Sequence, residues 1–328
     1  MQLIGYTCSY IPVELLALTG FRPYRLLHGD VDSSKRGEKF VRVDACPMVK
    51  SNLDHIFRNQ NDFAALVGST GCDMSRRMLD VAAENTRIPV LVFNNPRTDN
   101  RTIFHDEIDW LTQRLERLSR RQFNPASIQN EVTKWESMRV ELRTIDERRA
   151  ANPSQVSTAS FHEVMTAYCQ GAFDRDVSIC RERADRPRVY LLGSAITYES
   201  NAILRLIEDH LRIVGDFNCG LSRALDIRIQ EPTLAGIEET YYGQPPCVFK
   251  RPDRRFIDHV RDETRRLNCT GVVAWTLDYC DAYEFELRKI ERTIDLPVLR
   301  IRSDFSLQGS SQLRTRIEAF VEMLCSKT

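Results

Sequence analysis

The stretch that most limits how this chain can fold is Leu66 to Leu91, LVGSTGCDMSRRMLDVAAENTRIPVL, because its pattern returns 208 residues later, counted from cysteine to cysteine. The second copy is Val272 to Leu299, VVAWTLDYCDAYEFELRKIERTIDLPVL. Each copy opens with an apolar run ending at a Cys-Asp pair, Cys72-Asp73 and Cys280-Asp281, passes through a helix-patterned segment and reaches a Pro-Val-Leu triplet. In both, the proline lies 17 residues after the cysteine, at Pro89 and Pro297. An apolar run, a helix of about three turns and a second apolar run describe a βαβ unit, since parallel strands need such a crossover. Each cysteine then stands at the C-terminal end of a strand, where open α/β sheets hold their ligands.

The repeat predicts an α/β protein of two Rossmann- or flavodoxin-like domains with parallel sheets, each offering a thiolate to a shared interdomain crevice. A length of 328 residues suits two cores. The expected division is an N-terminal α/β domain over 1–104, a helical connecting segment over 105–185 and a C-terminal α/β domain over 186–328. In the connecting segment Ile128, Val132, Trp135, Leu142 and Ile145 share one helical face, and Phe161, Val164, Met165 and Tyr168 another, with Asn152-Pro153-Ser154 as a break.

Forty-six basic residues balance forty-six acidic ones, so no bulk field draws nucleic acid or an anionic membrane. The basic cluster Arg117 to Arg121 reads as a solvated face. The N-terminus MQLIGYTCSY lacks the basic and apolar regions of a signal peptide, and no run of 18 apolar residues occurs. The chain reads as cytoplasmic. Ten cysteines in a reducing compartment are poor disulfide candidates, which turns attention to metal ligation or catalytic thiols; the bland reading is that free Cys is a small buried hydrophobe.

Taken in order, Leu3 to Thr7 is a strand followed by Cys8, and Pro12 opens a helix through Glu14, Leu15 and Leu18 to a stop at Gly20. HGDVDSSKRGEK, residues 28–39, reads as a loop, and Val41 to Val43 leads into Asp44-Ala45-Cys46-Pro47. With Pro47 first in the helix, Cys46 falls at its N-cap, a place that favours the thiolate; the same geometry is expected of Cys72. The second half opens with the strand VYLLG after Arg188, a helix from Tyr198 to His210, and a strand through Ile213 to Asp216 directly before Cys219. Gln230 to Arg255 is a mixed stretch holding Cys247, and a helix from Arg255 to Leu267 leads into the strand before Cys280. Cys169, Cys180, Cys269 and Cys325 read as structural.

The segments GYTCSYIPVELLALTGFRP, DACPMVKSNL, the GCD stretch with its IPVL, VYLLG to DFNCGLSR, and TGVVAWTLDYCDAYEFE with LPVLRIRSDF together resemble the 2-hydroxyacyl-CoA dehydratase family. That family includes benzoyl-CoA reductase subunits and the double-cubane cluster proteins, and its members usually carry a longer helical N-terminal segment than this chain shows. The resemblance spans nearly the whole chain. It implies an iron-sulfur cluster between the two domains, with Cys46, Cys72 and Cys280 at the positions of the three ligands to a dehydratase [4Fe-4S] cluster and the fourth iron left to water or substrate. It also implies an ATP-hydrolysing iron-sulfur activator as electron donor, and acyl-CoA substrates in the dehydratases and benzoyl-CoA reductases.

A double-cubane [8Fe-9S] cluster needs six thiolates, and the chain has six in suitable places. The preferred reading is therefore a double-cubane type reductase of small molecules, with Cys8, Cys46 and Cys72 on one cubane and Cys219, Cys247 and Cys280 on the other. The alternative is a single-[4Fe-4S] subunit of a dehydratase or benzoyl-CoA reductase, and a further one is a subunit that only holds a cluster. A homodimer goes with the first reading and a heterodimer with the second. Ser9 and Tyr10 are candidates to meet substrate, His28 to deliver protons, and Arg223 to neutralise a cluster or a substrate anion. A zinc protein is disfavoured because no C-x-x-C occurs, and a periplasmic-type binding protein because no signal sequence is seen. Neither G-x-G-x-x-G nor G-x-x-x-x-G-K is present, so ATP hydrolysis is expected to reside in a partner.

Overall fold

Four short strands of the first half pair into one sheet: β1 (Leu3–Tyr6), β2 (Arg22–Arg25), β3 (Phe63–Ser69) and β4 (Val90–Phe93), with β1 and β3 the most deeply buried. Four of the second half do the same: β5 (Arg188–Gly193), β6 (Arg212–Asp216), β7 (Gly271–Leu277) and β8 (Val298–Ser303). Every pairing is parallel, and the strand orders are β2-β1-β3-β4 and β6-β5-β7-β8. The two orders are the same when strands are numbered within each half. This is the α/β arrangement of two Rossmann-like sheets that the repeat predicts. The computed structural model describes residues 1–151, 156–172, 186–306 and 310–326, so the expected break at Asn152-Pro153-Ser154, and Cys180, lie outside the described residues.

Parallel strands buried on both sides need helices on both faces. In the first half these include α1 (Val13–Leu18), α2 (Val31–Gly37), α3 (Pro47–Arg58) and α4 (Asp73–Asn85). Three helices follow, α5 (Arg101–Ser119), α6 (Pro125–Ala151) and α7 (Thr158–Cys169). The second half adds α8 (Asn201–Glu208), α9 (Leu234–Gly243), α10 (Arg254–Arg266), α11 (Asp281–Thr293) and α12 (Ser310–Cys325). Both copies of the repeat fold as strand, helix, strand: β3-α4-β4 and β7-α11-β8. Ile128, Val132, Trp135 and Leu142 of α6 are buried as their spacing predicts, and so are Phe161, Met165 and Tyr168 of α7.

One expectation is corrected and another made specific. Residues 28–39 are not all loop: Val31–Gly37 is helical, started by the Asp30 side chain, which accepts from the Ser33 N–H. The stretch Gln230 to Arg255 contains the helix α9, capped by Thr233, whose hydroxyl accepts from the Gly236 N–H.

The halves are not loosely tethered. The largest apolar core contains Ile4, Leu66 and Val67 of the first sheet together with Val189, Leu191 and Val273 of the second. Polar contacts cross the seam as well. Tyr198 N–H donates to the Leu27 carbonyl at 2.9 Å, the Tyr198 hydroxyl to that of Arg25 at 2.5 Å, and Lys250 Nζ to Asn95 Oδ1 and the Pro96 carbonyl at 2.6 Å each.

Candidate functional site

Three helices begin at a cysteine. Cys46 is the N-cap of α3, with Pro47 in the first helical position; Cys72 caps α4 and Cys280 caps α11. Each of these helices is 12 or 13 residues long, so each brings a full positive dipole end to its sulfur. Burial pushes the Cys46 thiol up to about 12, reinforced by Cys280, while the N–H groups of Met48 and Val49 pull it the other way. Burial likewise takes Cys72 up to about 12, against the N–H groups of Ser75 and Met74, with Cys46 and Cys280 both adding to the rise. Cys280 is raised by burial too, opposed by the Ser194 hydroxyl and the Tyr283 N–H. The helix ends favour thiolates as expected, but desolvation is the larger effect. These three cysteines, two from the first half and one from the second, act on one another electrostatically.

Ser194 reaches this group because of Gly193. That glycine ends β5 at φ +138°, and a Cβ there would lie 1.7 Å from the Trp275 carbonyl oxygen, so no other residue fits this turn unstrained. The turn lets Ser194 N–H donate to Trp275 O at 2.8 Å and its hydroxyl accept from Leu277 N–H at 3.0 Å, locking it beside the start of α11.

The remaining three candidate ligands form a second group. Burial raises the Cys8 thiol, then Cys247 and, more weakly, Cys219, while Arg25 opposes. Cys8 follows β1, Cys219 follows β6, and Cys247 lies between α9 and α10. The sets are thus Cys46, Cys72, Cys280 and Cys8, Cys219, Cys247, each drawn from both halves. This electrostatic grouping differs from the division by chain order, with one half's cysteines in each set, that the sequence reading favours. Among the described residues no three His, Cys, Asp or Glu side chains converge as closely as a single metal ion requires. Thiols alone in threes are the donor set suited to iron-sulfur chemistry.

Ser9 and Tyr10 belong to the second group's wall. Ser9 Oγ accepts from Arg223 Nε at 3.2 Å, and the Tyr10 hydroxyl accepts from the Cys247 N–H at 3.4 Å. The Tyr10 ring lies under Lys250 Nζ at 4.5 Å and Arg223 at 5.4 Å. His28 is elsewhere on the interdomain seam. Its ring bonds to the Tyr24 hydroxyl at 2.9 Å and Glu199 Oε1 at 3.1 Å and stacks on His55 at 3.7 Å, while Glu199 also accepts from the Gly29 N–H at 2.7 Å. Glu14, in α1, is wholly buried against Arg139. Sequence reasoning missed Arg25 and Lys250. Arg25 left a signal, a charge alone in the apolar strand around Tyr24 to Leu27; Lys250, in the loop PPCVFKRP, left none.

This geometry can be set against known proteins. A sequence model of the 2-hydroxyglutaryl-CoA dehydratase D-component family matches residues 8–324. The chain belongs to this dehydratase family. Among family relatives, the putative dehydratase subunit YjiM of Escherichia coli (strain K12) is 22% identical, over 99% of this chain and 92% of its own length. The beta subunit of (R)-phenyllactyl-CoA dehydratase from Clostridium sporogenes is 18% identical, over 98% and 91%. Lactoyl-CoA dehydratase subunit beta from Anaerotignum propionicum is 19% identical, over 98% and 91%. The dehydratase match therefore covers both halves and all six crevice cysteines. None of the helices is long and apolar enough to cross a membrane among the described residues.

Proposed function

We propose that this member of the dehydratase family is a low-potential iron-sulfur reductase of the double-cubane type, taking electrons from an ATP-hydrolysing iron-sulfur activator and reducing a small molecule. The observation that carries the reading is the second cysteine set, Cys8, Cys219 and Cys247, half-buried and interacting electrostatically with one another and with Arg25 and Arg223, which a single cluster does not require. Six thiolates in two threes would hold an [8Fe-9S] cluster, which supplies low-potential electron storage and an open coordination position. The chain's own residues shape that crevice. The starts of α3, α4 and α11 favour negative charge on one set of sulfurs, and Tyr10 and Ser9 wall the other. Nothing in the chain resembles a nucleotide-binding loop, so ATP hydrolysis is assigned to the activator. The protein is read as cytoplasmic and homodimeric.

A second reading has the relatives' names behind it. Two of them are beta subunits of acyl-CoA dehydratases. On that reading only Cys46, Cys72 and Cys280 hold a [4Fe-4S] cluster, the partner is a related subunit in a heterodimer, and the substrate is an acyl-CoA. Iron and acid-labile sulfide in anaerobically purified protein separate the two. About eight irons and about nine sulfides per chain are expected, against about four of each for the single cluster. Cys280→Ser should lower the iron content under either reading, whereas Cys219→Ser lowers it only under the first.

A further inference from the structure

A cavity of about 500 Å³ lies between the two halves, and no cysteine is among its described walls. One wall is the second sheet near the C-terminal ends of β7 and β8, the end at which open α/β sheets hold ligands. Trp275 and Ile301 are register partners on these strands, so their side chains stand side by side on one face. Helix α8 contributes Ile203 and helix α12 contributes Leu313. Gly29, Asp30 and the start of α2 close the cavity from the first half. It therefore exists only while the halves are joined.

The joint between the halves is built around Phe305, another wall residue. A Cβ on Gly29 would lie 2.5 Å from Phe305 Cζ, so the ring is seated against bare backbone. Phe305 is itself held at φ +74°, a conformation that bulky side chains rarely adopt, with its N–H donating to Ser303 Oγ at 3.0 Å. Strained backbone of this kind collects at ligand sites.

Most charged groups of the walls are already committed. Asp30 accepts from the Ser33 N–H at 2.8 Å, Glu199 accepts from the Gly29 N–H at 2.7 Å and meets the His28 ring at 3.1 Å, and Arg302 is paired with Asp278 at 2.6 Å. Two donors remain open. Trp275 is only 3% exposed, yet its indole N–H has no hydrogen-bond partner, and a buried donor without an acceptor is uncommon and costly. Arg316 of α12 donates from Nη2 to the Arg300 carbonyl at 2.5 Å and forms no ion pair among the described residues, which leaves the rest of its guanidinium for an anion.

We infer that this interdomain cavity binds a small organic carboxylic acid, its carboxylate held by Arg316, its apolar body against Ile203, Ile301 and Phe305, and Trp275 donating to it. A guanidinium holds a carboxylate by charge-assisted hydrogen bonds, and the volume lies in the range of small-molecule sites. The site is separate from the cysteines and does not depend on how many clusters the chain carries. An acid bound there touches both halves, so it stabilises their union.

The test is isothermal titration calorimetry of the anaerobically purified full chain with phenylacetate as the probe, iron being counted in every sample. One site per chain is expected. Phenylacetamide, the same shape without the charge, should bind more weakly by about tenfold or more. Arg316→Met, at an exposed position, should weaken phenylacetate by about tenfold, and Arg316→Lys should recover part of that loss. Trp275→Phe should weaken it by a smaller factor. Ala202→Trp, on the exposed first turn of α8 beside the cavity, should block binding and leave the iron content unchanged. Phenylacetate should raise the melting temperature of the wild type and leave that of Ala202→Trp where it was. Binding unchanged in both Arg316→Met and Ala202→Trp, amide bound as tightly as acid, or no heat of binding to folded wild type at about 10 mM probe would each overturn the inference. The iron count reads the number of clusters independently of all these outcomes.

Discussion

Glu14 is fully buried, and its carboxylate meets the Arg139 guanidinium on one oxygen and the Tyr241 hydroxyl at 2.9 Å on the other. Arg139, 1% exposed at its side chain, also donates to the Tyr168 hydroxyl at 2.9 Å. Arg139 has a second carboxylate partner at the edge of the knot, Glu136 at 3.2 Å, which is shared with Arg143. Such a pair adds little net stability over an apolar replacement, but removing one partner strands the other. Glu14→Leu should lower the unfolding free energy by about 3–5 kcal/mol in urea titration. Glu14→Leu combined with Arg139→Met should recover much of that loss. A single-variant loss under ~1 kcal/mol would mean that Arg139 finds another partner.

At the scale of elements, the β5 to α8 turn is the place where a single atom matters most. Gly193→Ala would hold a non-glycine residue at φ +138° and drive a methyl group into the backbone of Trp275. The conformation alone costs about 1–3 kcal/mol, with the overlap in addition. The variant should melt earlier by circular dichroism, and because Ser194 moves with the turn, iron retention should fall further than in an equally destabilised variant remote from the crevice. The strands, the repeated βαβ units and the helix starts at Cys46, Cys72 and Cys280 were legible in the sequence, because long apolar runs and a proline in the first turn are local signals. The helix α2 was not: VDSSKRG has no apolar stripe, and only Asp30 three residues ahead of Ser33 hinted at its cap. The division of the cysteines was also beyond local reading. Cys8 and Cys72 follow adjacent parallel strands, β1 and β3, yet Cys8 interacts with Cys247 and Cys219 and Cys72 with Cys46 and Cys280, contacts between residues far apart in sequence that no local pattern reports.

For the molecule as a whole, the seam around His28, His55 and Glu199 ties acid stability to the union of the halves. Burial first, and then the stacked His28 ring, lower His55 to about 4. A histidine whose folded value lies below its unfolded one, about 6.5, contributes stability that is complete above that unfolded value. Acidification toward pH 4 should remove up to ~3 kcal/mol, less whatever solvent screening takes from a partly exposed ring. Urea midpoints measured from pH 7 to pH 4 should show this slope, and His55→Phe should flatten it. The knot at Arg139 has its own consequence for traffic. Glu14 grips it from one half and Tyr241 from the other, so parting the lobes like a hinged shell would drag a guanidinium and a carboxylate into open apolar space. The two halves are therefore expected to stay closed on each other, with the most exposed apolar side chains beside the cysteines at the lip, Val43 68% exposed before Cys46 and Tyr279 42% exposed before Cys280.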